Sequence, residues 1–308
     1  MSPPRGERVL VTGGGGLIGS RLVKRLIPYN EVKALDHFQT TDSEQLPNDV
    51  EIICSDINNQ TALQSGLRDA TVVFHQAGVS GTTACKANLL RSHEVNTTGT
   101  LRLLKECTNR DLRVIIASSA SVYGSQPSGP IPETADTRPT TNYGYQKLLT
   151  EQYADSYFQE ADLDVIVLRY FNVFGIHQST NTYRGVPGKF LDRALTEQQV
   201  TVAGDGSQTR DFVHVSDIVD ANIRAAAQGS PGSIYNIGSG IATSIHELAS
   251  IIIEQVSQEV TIETDETVST GITHSQADIS KAEKELDFSP TKSIRTFIEP
   301  MRTQIQST

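Results

Sequence analysis

Apolar residues in the first half of the chain fall into short, unbroken, β-branched runs. Val9–Thr12, Val32–Asp36, Glu51–Cys54, Thr71–His75, Arg113–Ala117 and Val165–Arg169 read as strands. Between most of them, apolar or small residues recur three and four positions apart, as in Leu22–Leu26 and Val95–Cys107, which predicts helices. Strands without polar alternation are buried on both faces, so the pattern predicts a doubly wound α/β fold: a parallel sheet covered by helices, with right-handed crossovers. After about Tyr170 the rhythm changes. Gly175–Gly188 is rich in Thr, Asn and Gly, and later segments mix short strands with helices such as Ile245–Val256. The expected organisation is a large domain over 1–170 and mainly a smaller mixed α/β lobe over 171–308. The lobe closes over the strand C-termini, and segments near 214–237 return to the large sheet.

Composition narrows the class. The chain has 308 residues, of which 37% are hydrophobic, enough for a core and too many for a disordered chain. A net charge of −10 argues against nucleic acid as a partner, because phosphate backbones require a basic stripe. No run approaches the roughly 18 apolar residues of a membrane span, and the polar start Met1–Arg8 does not read as a signal peptide. Cys54, Cys85 and Cys107 are odd in number and lack CxxC spacing, and the seven histidines form no HxxxH or HxH pair. Neither a disulfide framework nor a metal site is expected, and the location expected is cytoplasmic.

Candidate chemistry begins at Thr12-Gly13-Gly14-Gly15-Gly16-Leu17-Ile18-Gly19, between the first strand and a helix start. Glycines there let the backbone turn tightly and approach a pyrophosphate, and the helix N-terminus offers N–H groups to it. Asp36 ends the next strand, 20 residues after Gly16, where a carboxylate accepts from adenosine ribose hydroxyls and repels a 2′-phosphate. That combination predicts a Rossmann-like sheet holding NAD rather than NADP. Asp56, after the third strand, is a candidate acceptor for the adenine amino group; turn chemistry is the competing reading.

Tyr143 and Lys147 stand four apart, on one helix face. A phenol is a poor base at neutral pH, but an ammonium and an oxidised nicotinamide ring both favour the phenolate. Such a phenolate takes a proton from a sugar hydroxyl while hydride leaves the same carbon. Tyr29 and Lys33 repeat the spacing but run into the second strand. Position distinguishes the pairs: Tyr143 opens the helix after the fifth strand, whose end, Ser118-Ser119-Ala120-Ser121, lies at the sheet edge that holds ligands.

With these residues the chain resembles the extended short-chain dehydrogenase/reductases, in the nucleotide-sugar epimerase and dehydratase branch. The resemblance runs from Val9 to about Pro290. Besides the glycine turn it rests on Phe74-His75-Gln76-Ala77-Gly78, Val95-Asn96-Thr97-Thr98-Gly99-Thr100 and Arg169-Tyr170-Phe171-Asn172-Val173-Phe174-Gly175. Gly204-Asp205-Gly206-Ser207-Gln208-Thr209-Arg210-Asp211-Phe212-Val213-His214 and Ala277-Asp278-Ile279-Ser280-Lys281-Ala282 complete it. It implies Ser119, Tyr143 and Lys147 as the catalytic set. The NAD contacts it implies are Gly13, Gly16, Leu17, Ile18 and Gly19 in the turn, Asp36 and His37 after the second strand, and Asp56 and Ile57 after the third. Gln76, Ala77 and Gly78 follow the fourth strand, with Asn96, Tyr143, Lys147 and Tyr170 beyond. For a nucleotide-diphosphate sugar it implies Ser119, Tyr143, Asn172, Val186, Lys189, Val202 and Arg210. A homodimer through the helices of Val95–Cys107 and Tyr143–Tyr157 is implied as well.

Departures from the family pattern refine the activity. Dehydratases of this branch place Asp-Glu directly after the catalytic hydroxyl residue, and uronate decarboxylases carry a Glu in that loop; here the positions are Ala120 and Ser121. Redox chemistry without elimination suits a 4-epimerase working through a 4-keto sugar. An RPGD stretch that adds a second diphosphate-binding Arg is replaced by Val268-Ser269-Thr270-Gly271. Ser275, at a position where residue size gates the pocket of related epimerases, leaves room for an N-acetyl group. The alternatives are a 4-ketoreductase, which keeps Ser, Tyr and Lys but consumes reduced cofactor, and a non-catalytic NAD sensor, which commonly lacks the Tyr/Lys pair.

Overall fold

The computed structural model describes residues 4–39, 43–177, 182–197, 199–256, 259–267 and 271–296. The β-branched runs become β1 (Arg8–Thr12), β2 (Glu31–Asp36), β3 (Glu51–Cys54), β4 (Val72–His75), β5 (Arg113–Ser119) and β6 (Val165–Tyr170). They continue with β7 (Asn172–His177), β8 (Thr182–Arg184), β9 (Gln199–Ala203), β10 (Thr209–His214), β11 (Ile234–Ile237), β12 (Ala242–Ser244) and β13 (Thr261–Asp265). The helices are α1 (Gly19–Leu26), α2 (Gln60–Leu67), α3 (Thr82–Ala87), α4 (Leu89–His93) and α5 (Gly99–Thr108). The second half adds α6 (Asn142–Ala161), α7 (Gly185–Thr196), α8 (Val215–Gln228), α9 (Ile245–Ile253) and α10 (Ser280–Leu286).

Seven strands form the main sheet in the order β11-β6-β5-β4-β1-β2-β3, every pairing parallel. Its β-branched runs are buried on both faces, so alternate residues serve different cores. Val9 and Val11 pack into the layer that includes residues of α1, α8 and α10, while Leu10 packs into the layer of α2, α5 and α6. Strand order reverses between β1 and β4, the place where a doubly wound sheet opens a crevice at its carboxyl edge. The second half of the chain supplies β11, which pairs with β6, and a lobe built on β12-β10-β7-β8 and β13-β9. That lobe has its own core, including Phe174, Leu191, Val202, Phe212 and Leu248.

The predicted helix over Val95–Cys107 starts differently. Glu94–Thr98 forms a π-helical turn and the α-helix proper begins at Gly99. The widened turn leaves the Asn96 carbonyl to accept from the hydroxyls of Thr100 at 2.7 Å and Thr150 at 3.1 Å, tying α5 to α6. Ile245–Val256 also ends earlier than expected, at Ile253. Among the described residues no helix is long and apolar enough to cross a membrane.

Candidate active site

The glycine turn is built by close backbone approaches. Gly13 has φ +69°, and a Cβ there would lie 2.6 Å from the Ala77 nitrogen, so the turn packs on the chain leaving β4. A Cβ on Gly19 would fall inside the radius of the Gly13 carbonyl oxygen, which brings the start of α1 against the turn. At Gly16, by contrast, only the Gly13 oxygen comes within reach, at 3.2 Å, so a Cβ there would fill the open side of the cradle. α1 begins with no side-chain cap, and the N–H groups of Ser20 and Arg21 bond back to the carbonyls of Gly16 at 3.0 Å and Ile18 at 3.1 Å, so the turn runs directly into the positive end of the helix. Asp36 is fixed at the end of β2, its Oδ2 accepting from Gly15 N at 3.0 Å and its Oδ1 from Phe38 N at 3.2 Å. Turn, helix start and carboxylate fit a dinucleotide.

Other expected cofactor residues sit around this crevice in different ways. Asp56 is held in a turn, its Oδ1 accepting from Asn58 N at 2.8 Å, and it is ion-paired with Arg91 of α4. His37 Nδ1 accepts from Gln39 N at 2.9 Å, while Ile57 is buried against Gly99. The Asn96 side chain is spent inside the protein: it accepts from Val79 N at 2.7 Å and donates to Val79 O at 3.0 Å. It therefore shapes the loop after Gly78. The Tyr170 hydroxyl joins Gln76 and Asn222, accepting from Asn222 Nδ2 at 2.8 Å. Asn222 escaped the sequence reading although it carries a signal, a lone amide on the apolar face of α8 among Ile218, Ala221 and Ala225. His75 is likewise internal, bonded to Thr12 at 2.7 Å and Thr100 at 2.8 Å and pushed down to about 3 by burial. It is neutral at ordinary pH.

Thr141 caps α6 by accepting from Gly144 N at 3.1 Å, and Tyr143 and Lys147 follow on one face. Lys147 Nζ lies 6.0 Å from the centre of the Tyr143 ring and donates to the Ala117 carbonyl at 2.8 Å. Ser119 at the end of β5 engages the Tyr143 phenol and accepts from Ser121 N at 3.2 Å. The three residues meet at the carboxyl edge of the sheet. The phenol's surroundings in the protein alone act mainly through burial. Burial pushes Tyr143 up to about 12, and Ser119 only partly offsets it. Burial also brings Lys147 down to about 8. For both groups, desolvation of the charged form outweighs what the neighbouring groups return.

Behind this cluster, Arg169 and Glu151 form a buried ion pair at 2.7 Å, and Ser118 donates to the same carboxylate. Arg169 also donates to the Tyr123 hydroxyl at 2.8 Å. Glu133 in the following loop accepts from Asn236 N at 2.8 Å. The Ser121 hydroxyl is buried without a hydrogen-bond partner beside Ser119.

On the lobe, Arg210 is half-buried, and among the described residues no carboxylate lies within ion-pair distance of it; it donates to Thr209 O at 2.7 Å. The neighbouring acids that could neutralise it are occupied, Asp205 by Ser207 and Asp211 by Ser239, Gly240 and Ala277. Asn172 starts β7 opposite Phe212. Val186 and Lys189 lie on α7, partly buried and exposed respectively. Val202 is fully buried in the lobe core beneath Gly206, so its side chain supports the Gly204–Gly206 turn rather than lining a pocket. Ser275 is buried between His274, bonded to Thr209 at 2.7 Å, and Gln276, which donates to Gly240 O at 2.9 Å. The substituted RPGD positions 268–270 lie outside the described residues. The second Tyr–Lys spacing has no such setting: Lys33 is on β2, bonded to Ser65 O at 3.4 Å and to Glu51 at 3.7 Å.

A family model described as the NAD dependent epimerase/dehydratase family matches residues 9–238. The chain belongs to this family. NAD is its cofactor, consistent with the glycine cradle and Asp36. The chain is 32% identical over 255 residues to a UDP-glucose 4-epimerase of Mycolicibacterium smegmatis, covering 80% of this chain and 81% of that protein. It is 33% identical over 253 residues to a UDP-N-acetyl-alpha-D-glucosaminuronate decarboxylase of Bacillus cytotoxicus, covering 79% and 78%. Its fold is similar to the solved structure of a UDP-N-acetylglucosamine 4-epimerase from Methanobrevibacter ruminantium M1 in complex with UDP-N-acetylmuramic acid, with TM-score 0.90, 32% identity and coverage of 99% of this chain and 100% of that one. The relatives therefore share an NAD-dependent nucleotide-sugar framework and divide over the reaction run on it.

Proposed function

We propose that this chain interconverts nucleotide-diphosphate sugars at C4, with UDP-hexoses and UDP-N-acetylhexosamines as the substrate class. The observation that carries the choice of reaction is the setting of Ser119, Tyr143 and Lys147 with, among the described residues, no neighbouring acid left free for elimination. Ala120 and Ser121 follow Ser119, Glu151 is spent on Arg169 and Ser118, and Glu133 accepts from Asn236. An elimination of water needs a positioned acid and base besides the tyrosine; a proton and hydride removed from one carbon do not.

In this reading Tyr143 Oη takes the C4 hydroxyl proton and Ser119 Oγ hydrogen-bonds the same oxygen. Lys147 offers positive charge that limits the cost of the phenolate. One of its three N–H groups is spent on Ala117 and the others are available to cofactor hydroxyls. Bound NAD supplies the acceptor and then the donor of the C4 hydride, so net redox is zero. The 4-keto sugar turns over between the two steps and receives its proton back from Tyr143. Arg210 pairs with the diphosphate, and the orphan hydroxyl of Ser121 gains a partner in the sugar. Ser275 leaves space for an N-acetyl group. The proposal includes a homodimer through α5 and α6 and a cytoplasmic location.

The test is incubation of purified protein with UDP-glucose and, separately, UDP-N-acetylglucosamine, followed by chromatographic resolution of the C4 epimers. UDP-galactose or UDP-N-acetylgalactosamine should appear without accumulation of reduced nicotinamide. Loss of carbon dioxide, of water, or stoichiometric consumption of added NADH would replace epimerisation by the corresponding reaction.

A further inference from the structure

Gln146 stands between Tyr143 and Lys147 in sequence, yet its side chain serves neither directly. It is buried and joins three other elements. Its Oε1 accepts from Asn96 Nδ2 at 2.8 Å and from the Cys85 thiol at 3.7 Å, and its Nε2 donates to Ser92 Oγ at 2.9 Å. One amide thus ties α6 to α3, α4 and the π-helical turn. Asn96 carries the link onward, because the same side chain accepts from Val79 N and donates to Val79 O. The loop so held begins with Gly78, where a Cβ would lie 3.1 Å from Asn96 Oδ1 and 3.6 Å from Lys147 Nζ. The ammonium and this loop are therefore set relative to each other through two routes that meet at α6: the Lys147 side chain itself, and the Gln146–Asn96–Val79 bonds.

We infer that Gln146 is a positioning residue, fixing the separation between the Lys147 ammonium and the Gly78–Val79 backbone and thereby the placement of NAD against Tyr143. A buried amide suits this task because its donor and acceptor are both used in fixed directions, and an unpaired end is penalised strongly enough to prevent slippage. The inference rests on the proposed reaction for its kinetic consequences, but its effect on NAD binding does not.

The test compares Gln146→Met, which keeps length and volume but loses all three hydrogen bonds, with Gln146→Glu, which keeps an acceptor for Asn96 and can accept from Ser92. Calorimetric NAD affinity is measured across pH, and kcat and KM are measured with UDP-glucose. Gln146→Met should bind NAD roughly tenfold more weakly and lower kcat by about tenfold or more, with KM for the sugar nearly unchanged. It should also displace the alkaline limb of NAD binding, since the ammonium is no longer held in one environment. Gln146→Glu should recover most of both losses. A role in folding alone would lower the melting temperature and leave NAD affinity, its pH limb and kcat per folded molecule as in the unaltered protein; that result overturns the inference. If Gln146→Met does not fold, Ser92→Ala removes the acceptor of Gln146 Nε2, together with the local bonds from Ser92 Oγ to Leu89 O and Cys85 O, and should weaken NAD binding in the same direction, about two- to threefold. Unchanged affinity there overturns it equally. Absence of epimer from the unaltered protein together with weakened NAD binding in the variants rejects the proposed reaction and leaves the positioning role standing.

Discussion

Arg210 and Asp211 are neighbours on β10 with opposite fates. The Asp211 carboxylate is fully buried and filled by donors, accepting from Ser239 N and Oγ at 2.6 Å each, Gly240 N at 2.9 Å and Ala277 N at 3.1 Å. Arg210, on the other face of the strand, has a backbone carbonyl and no carboxylate among the described residues. The aspartate anchors the strand to the segment that begins Ala277-Asp278, and the arginine is left with charge to give. Burial without an anion lowers the Arg210 pKa, a cost that a bound diphosphate would offset.

Replacing Arg210 by Ala should therefore raise KM for the UDP-sugar by about 10- to 100-fold, the value of a charge-assisted hydrogen bond pair. NAD affinity should stay constant. The melting temperature should hold or rise, because no ion pair is broken. Steady-state kinetics and a thermal scan on the same preparation check both.

Tyr143→Phe should lower kcat by on the order of 10²- to 10⁴-fold and leave NAD bound, as read by mass spectrometry of the native protein. The phenol, raised to about 12 in the protein alone, should titrate lower once an oxidised nicotinamide is present. Ultraviolet difference titration with and without NAD resolves that movement, and the transition should vanish in the Phe variant.

Gly19→Ala places a methyl group against the Gly13 carbonyl. The start of α1 must then move away from the turn, separating the helix N–H groups from the pyrophosphate site. The expected outcome is a loss of stability of about 1–3 kcal/mol, the range for overpacking, with a larger loss of NAD affinity. Denaturant titration and calorimetry measure the two separately.

His75 is held neutral between Thr12 and Thr100, its pKa lowered from 6.5 to about 3 by burial and then by the Lys147 charge. Between those values the unfolded chain binds a proton that the folded chain refuses. Stability should therefore fall as pH drops below about 6.5, by roughly 1.4 kcal/mol per pH unit for this group. His214, lowered to about 4 mainly by burial, acts in the same direction. Thermal midpoints from pH 7 to 4 should show the slope, and His75→Gln should flatten part of it.

The strands β1 to β6, their parallel arrangement, the glycine turn, Asp36 and the Tyr143–Lys147 pair were all legible in the linear order of residues. Each is encoded locally: burial on both faces imposes unbroken apolar runs, a tight turn demands glycine, and a helix places residues four apart on one side. What the chain alone did not disclose is how polar groups distant in sequence choose one another. Gln76 finds Tyr170 and Asn222, Gln146 finds Ser92 and Asn96, and Asp211 collects donors from Ser239, Gly240 and Ala277 while Arg210 meets no carboxylate among the described residues. Even the direction of the Tyr143 shift belongs to this level, because desolvation is produced by residues that fold around the phenol. Periodicity and spacing record what a segment does with its own neighbours, whereas burial and pairing depend on which segments are brought together.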